Sequence, residues 1–231
     1  MNSIKKSARM AGVFYIIYII ASVVADLFGH FVFANASATV QNIIAHESYF
    51  RIGVVISLFS MVFFLLAAWA LYTLLKTVNK NLALLFLLLN VAGFAIIVYS
   101  HLNLISSLTL LSGSDYLKVL QPDQIQALAT LFINLYKNGS SIAQVPFGVW
   151  LLPLGYLVFK SGFLPKILGI LLIADFIAQL IFVFQRFLLP GYAVISYPCS
   201  VVSFIAEFSL TLWLLIKGVK DQKPTLNNGQ K

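Results

Sequence analysis

The sequence predicts an all-α protein: a six-span transmembrane helical bundle with an interfacial amphipathic helix between spans 3 and 4. Three observations carry this. The 231 residues are 61% hydrophobic and 10% charged, with a mean hydropathy of +0.96, and a water-soluble fold of that composition would leave much of its surface apolar. Six stretches each hold about 18 or more predominantly apolar residues, long enough to cross a hydrocarbon layer. The 15 Lys and Arg residues fall in the turns and ends rather than within a basic patch, so no nucleic-acid surface is expected.

In chain order, Lys5, Lys6 and Arg9 precede an apolar stretch from Met10 to about Phe33. It resembles a signal peptide, with small residues at Val23-Val24-Ala25, but its apolar run continues past that point, so an uncleaved first span is expected. Asn35 to Tyr49 is polar, and Val40, Ile43 and Ile44 have the spacing of a short surface helix. The second span covers Ile52 to Leu75 between Arg51 and Lys76, and Asn79-Lys80-Asn81 turns the chain into a third span, Leu82 to Leu108. Ser112-Gly113-Ser114-Asp115 breaks it. From Pro122 to Asn138 the residues Ile125, Leu128, Ala129, Phe132, Leu135 and Tyr136 share one helical side, with Gly139 where a C-terminal cap belongs. This segment is too polar to span and is expected in the interface.

Pro146 to Arg186 forms a hairpin of two spans. Pro146-Phe147-Gly148 is echoed seven residues later by Pro153-Leu154-Gly155, so the prolines stack on one helical face and the glycines on another. Each proline lacks a backbone donor, leaving the carbonyls of Ile142 and Val149 to find other partners. Either the kinked helix lines a cavity, or the glycines mark close helix packing. Lys160-Ser161-Gly162 closes the turn, with Pro165 suited to the first position of the next helix. Pro190-Gly191-Tyr192 leads to a sixth span, Ser196 to Ile216. Residues 1–216 read as one bundle and 217–231 as a polar, disordered cytoplasmic tail.

The hairpin LGYLVFKSGFLPKILGILL, with Ala8-Arg9-Met10-Ala11-Gly12 and Phe50-Arg51-Ile52-Gly53, resembles a bacterial integral-membrane family catalogued as domain of unknown function 4386. The resemblance covers nearly the whole chain. It implies a multi-pass fold and supplies no activity, cofactor or site residues.

With six spans, both chain ends and the second-to-third and fourth-to-fifth turns share one side, which carries all the basic residues except Arg51, Lys118, Lys137 and Arg186. That bias places both termini in the cytoplasm of a bacterial cell, with the bundle in its cytoplasmic membrane.

The chemistry is expected where polar residues interrupt the spans. Asp175, Gln179 and Arg186 stand at i, i+4 and i+11, one face of the fifth span. Ser196, Ser200, Ser203, Glu207 and Thr211 form a stripe on the sixth, and Ser22, Asp26 and His30 repeat the theme on the first. A charged acid at the bilayer centre costs about 2.5–3.5 kcal/mol, so Asp175 and Glu207 should turn away from lipid. Two readings follow: a site for a small polar solute, an ion or a proton formed by Asp26, Asp175, Gln179, Arg186 and Glu207, or interhelical hydrogen bonding alone. His30, His46 and His101 are the ligand types of a zinc hydrolase, without a recognised spacing; hydrogen-bonded histidines are the plainer reading. Arg51 and Arg186 either snorkel to lipid phosphates or pair with Glu47 or Asp26. The lone Cys199 excludes an internal disulfide, and nucleophile, phosphate-loop and dinucleotide motifs are absent. No cofactor is expected. The remaining alternative is a non-catalytic accessory protein that packs against another membrane protein.

Overall fold

The computed structural model describes residues 3–27, 36–113 and 115–219, and these contain helices and no strand. Six helical stretches are long and apolar enough to cross a membrane: Ile4–Ala25, Glu47–Leu75, Lys80–Leu111, Pro122–Lys160, Lys166–Leu188 and Ala193–Ile216. The architecture is that of a multi-pass helical membrane protein. The helices are α1 (Ser3–Ala25), α2 (Ala36–Ala45), α3 (Glu47–Leu75), α4 (Lys80–Leu111), α5 (Pro122–Val149), α6 (Leu151–Lys160), α7 (Lys166–Leu188) and α8 (Ser196–Ile216). His30 and the tail from Lys220 lie outside the described residues.

Local signals set several boundaries. The Asn79 side chain accepts from the Leu82 N–H at 3.0 Å and so caps α4. Gln121 and Gln124 form a capping box ahead of α5, with Pro122 in its first turn. α2 forms where a short helix was expected, and buries Val40 and Ile43.

The segment expected at the membrane interface behaves differently. Gly139 does not end a helix, because α5 runs unbroken from Pro122 to Val149 and continues into the fourth span. Only part of the apolar side read from the sequence is covered by protein: Ala129 and Tyr136, together with Ile133, pack with Leu104 and Leu108 of α4, Phe50 and Val54 of α3, and Val40 and Ile43 of α2, while Leu128 and Leu135 stay exposed. That packing outweighs the modest cost of a helical glycine. Gly139 lies directly against Ser100 of α4, where a Cβ would not fit.

The break in the fourth span falls instead at Trp150, between α5 and α6. Pro153 explains it. Its ring crowds the Val149 carbonyl and offers it no N–H, so the helix is interrupted three residues ahead of the proline. Trp150 is buried in the break, edge-on to Phe64 and Phe86 with ring centroids 5.3 and 6.1 Å away.

The hairpin turn is tied by Ser161, whose hydroxyl donates to the Val158 carbonyl at 2.8 Å and accepts from the Leu164 N–H at 3.1 Å. Gly162 takes the left-handed conformation there, φ +73°. Pro165 precedes α7 rather than opening it, a shift of one residue. α6 and α7 then meet at two glycines: a Cβ on Gly169 would lie 2.6 Å from the Gly155 carbonyl oxygen and 2.7 Å from the Phe159 nitrogen. In hydrocarbon, where lipid tails are as apolar as leucine, such close backbone approach is a main source of helix association.

Gly12 brings α1 against the backbone of Leu215 on α8, and Gly218 sits beside Lys5 and Arg9. The start of α1 and the end of α8 are therefore neighbours at one end of the bundle. Large apolar side chains face outward along its sides, Phe59 at 63% exposure and Phe204 at 62% among them. Water would penalise that surface, whereas acyl chains would not.

Candidate functional site

The polar stripes of α7 and α8 face each other. Asp175 is fully buried, and its Oδ1 accepts from the Ser203 hydroxyl at 2.5 Å. Gln179 Nε2 donates to the same Ser203 oxygen at 3.1 Å. Toward the end of α7, the Ser196 hydroxyl donates to Gln185 Oε1 at 2.7 Å. These bonds make a polar ladder between two otherwise apolar helices. Asp175 Oδ2, however, is buried without a partner.

Asp175→Asn keeps an oxygen for Ser203 and is expected to unfold within about 1 kcal/mol of the wild type. Asp175→Leu removes the acceptor from Ser203, which anchors Gln179 in turn, and is expected to cost about 1–2 kcal/mol. Denaturant unfolding in bicelles measures both.

One turn beyond Ser203, Glu207 points elsewhere. It receives the hydroxyl of Tyr15 on α1 and lines a cavity of about 240 Å³ at the centre of the bundle. A single water needs only about 10–15 Å³ of such space. All six spans wall this cavity. α1 contributes Tyr18; α3 contributes Ser57 and Phe64; α4 contributes His101; α5 contributes Tyr136, Ser140, Gln144 and Phe147; α7 contributes Gln179. Trp150, in the helix break, closes one wall.

His101 is held firmly. Its Nδ1 lies 2.8 Å from the Ile97 carbonyl oxygen, and a carbonyl only accepts, so Nδ1 carries the proton of the neutral ring. Nε2 then accepts from the Ser57 hydroxyl at 3.0 Å. Tyr136 stands edge-on to the ring at 5.3 Å between centroids.

Of the residues expected to act together, Glu207 and Gln179 line the cavity. Asp175 sits behind them, linked through Ser203 and within reach of Glu207's charge without a direct hydrogen bond. Arg186 is exposed in the last turn of α7. Eleven residues give it Asp175's azimuth but place it about 16 Å further along the axis; Gln185 joins the α7–α8 ladder instead. Asp26 is exposed at the end of α1 and is not part of the cavity wall.

His46 is exposed ahead of α3, while both nitrogens of His101 are engaged. Among the described residues no group of three His, Cys, Asp or Glu is placed to hold a metal ion. Arg51 pairs with Glu47 at 2.7 Å on the exposed first turn of α3, an i,i+4 contact worth about 0.3–0.5 kcal/mol.

Tyr136, Ser140 and Gln144 were not expected at a site. Their i, i+4, i+8 spacing is visible in the sequence, but a helix end placed at Gly139 separates the first from the other two.

A protein of Archaeoglobus fulgidus described as uncharacterized is 32% identical to this chain over 153 residues, 66% of this chain and 75% of that protein. No solved structure matches the chain. The sequence model of the family described as Domain of unknown function (DUF4386) matches residues 10–218. That match takes in five of the apolar helices and most of the first, with every residue lining the cavity, and the chain belongs to the DUF4386 family.

Proposed function

We propose that this protein binds a small organic cation, an ammonium group with few heavy atoms, in the cavity at the centre of the bundle. The single observation that carries this reading is the chemistry of the wall. One carboxylate, Glu207, stands among aromatic faces and hydrogen-bonding side chains, with no Lys or Arg among the described lining residues. A carboxylate supplies charge, and the wall adds the rings of Tyr18, Phe64 and Trp150; a ring face met by a cation attracts it by its quadrupole, by about 0.5–2 kcal/mol where water is excluded. Gln144, Gln179 and Ser57 offer oxygens to ammonium protons. An anion would meet Glu207's repulsion with no Lys or Arg among the described lining residues to offset it. An accessory protein that works through its outer surface needs no such cavity, so the solute-binding reading is favoured over it.

Titration calorimetry on the protein in nanodiscs tests this with ethylammonium, tetramethylammonium, sodium and acetate. Saturable heat with an ammonium ion and none with acetate is the expected result. No ammonium binding up to millimolar concentration would remove the proposal.

Orientation belongs to the same reading. The start of α1 and the end of α8 are neighbours, and the excess of Lys and Arg in the segments expected on that side supports a cytoplasmic position for both, in a bacterial cytoplasmic membrane. In a Cys199→Ala background, single cysteines at Lys6 and Lys217 should react with an impermeant maleimide in inside-out vesicles only, and one at Arg51 in right-side-out vesicles only. Labelling of the two ends from opposite sides would refute the arrangement.

A further inference from the structure

The central cavity is not sealed from the side. A second cavity, of about 320 Å³, lies between α1 and α8 and shares Tyr18, Gln144, Gln179 and Glu207 with the first. α1 and α8 touch backbone to backbone at Gly12 and Leu215. About 15 Å further along α1, at Ser22, the two helices flank this opening instead. Its inner end is polar, with Ser22 and Ser203 beside Glu207; its rim is apolar, with Ile19, Val23, Phe204 and Phe208. Val23 is 55% and Phe204 62% exposed on the side of the bundle. Phe204 lies eight residues, about 12 Å, inside the start of α8. The mouth therefore opens at the depth of acyl chains, not in the aqueous layer.

Resting on the binding reading above, we infer that the ammonium group recognised by Glu207 belongs to a membrane-dissolved amphiphile, a long-chain amine that enters sideways between α1 and α8. The head moves inward to the carboxylate and the aromatic faces, while the alkyl chain remains between Val23 and Phe204 in contact with lipid. The rim accounts for the chain: an aqueous solute gains nothing from four apolar side chains at the mouth, whereas an alkyl chain already among acyl chains can lie against them without exposing any methylene to water. The polar end accounts for the head. The described residues lining either cavity include no Lys or Arg, so phosphate and carboxylate heads meet no cation there.

The test uses dodecylamine carrying a mid-chain diazirine, with the full chain in phosphatidylcholine nanodiscs and labelled residues mapped by mass spectrometry. Labelling should concentrate on residues 19–23 and 204–208 and fall about tenfold or more in Glu207→Gln, a loss of one or more buried charge-assisted contacts. Val23→Trp leaves every polar group in place and narrows the mouth; it should also lower the labelling, with folding of both variants checked by thermal melting. Uniform labelling of the lipid-facing residues of all six spans, unchanged in both variants, overturns the portal. So does equal rim labelling by a dodecanol analogue, which would show that charge is not selected. Ethylammonium binding without rim labelling overturns the portal and leaves the binding site standing; loss of both overturns the two together.

Discussion

Glu207→Gln is expected to abolish ammonium binding, raising the Kd for ethylammonium by about 100-fold or more while the protein still folds. The two expectations separate because the side chains differ in charge and hardly in shape. Glutamine keeps an oxygen for the Tyr15 hydroxyl that Glu207 accepts, so the α1–α8 contact survives. What disappears is the negative charge facing the cavity. Removing one partner of a buried, hydrogen-bonded charge pair costs about 2–5 kcal/mol, and each 1.4 kcal/mol is tenfold in affinity. Aromatic and amide contacts alone would leave binding in the high millimolar range. Protons compete with the cation for the same carboxylate, so wild-type affinity should fall as pH is lowered, and by mass action the ligand should displace a proton. In Glu207→Gln that pH dependence should vanish. Calorimetry in two buffers of different ionisation heat reads both effects. Undiminished affinity in the variant would show that the charge at Glu207 does not hold the ligand.

The sequence was informative about spans and about the existence of polar faces, because both depend on periodicity. Helical spacing alone picks out Asp175 with Gln179, and Ser196, Ser203 and Glu207, as faces that cannot lie against lipid. Periodicity does not say what each face meets. Asp175 turns into the α7–α8 interface and Glu207, one turn from Asp175's partner Ser203, turns into the cavity; only the rotation of α8 against α1 and α7 decides that. Nor does azimuth give depth, which is why Arg186 shares Asp175's face and stands about 16 Å from it along the axis. The largest gap came from Gly139. Its usual meaning at a helix end hid the continuous stripe Tyr136, Ser140, Gln144, and with it one wall of the cavity. The packing of α5 against α4 is a long-range fact, and it overrides the local preference. The two prolines divide: α5 runs through Pro146 without interruption, whereas the helix breaks ahead of Pro153, and the missing donor that both share does not tell them apart.

Gly169→Leu is expected to be the most destabilising single substitution in the hairpin, at about 3 kcal/mol. Even the first carbon of a side chain would lie 2.6 Å from the Gly155 carbonyl oxygen and 2.7 Å from the Phe159 nitrogen. Both obstacles are backbone atoms, so no rotamer change relieves them, and α6 and α7 have to move apart. Overpacking that forces backbone shifts costs about 1–3 kcal/mol, and the separation also forfeits the contact of Gly155 with Leu172 and Ile173. In a membrane, no hydrophobic term compensates, because lipid fills the gap as readily as protein does. The displacement propagates to function, since α7 carries Gln179, whose Cβ stands 3.0 Å from where a Cβ on Gly148 of α5 would lie. Gly191→Ala is the control: nothing lies within 4 Å of a Cβ there, so its melting temperature should match the wild type. Thermal unfolding in detergent micelles distinguishes the pair, and a Gly169→Leu protein as stable as the Gly191→Ala protein would mean that α6 and α7 do not meet at these glycines.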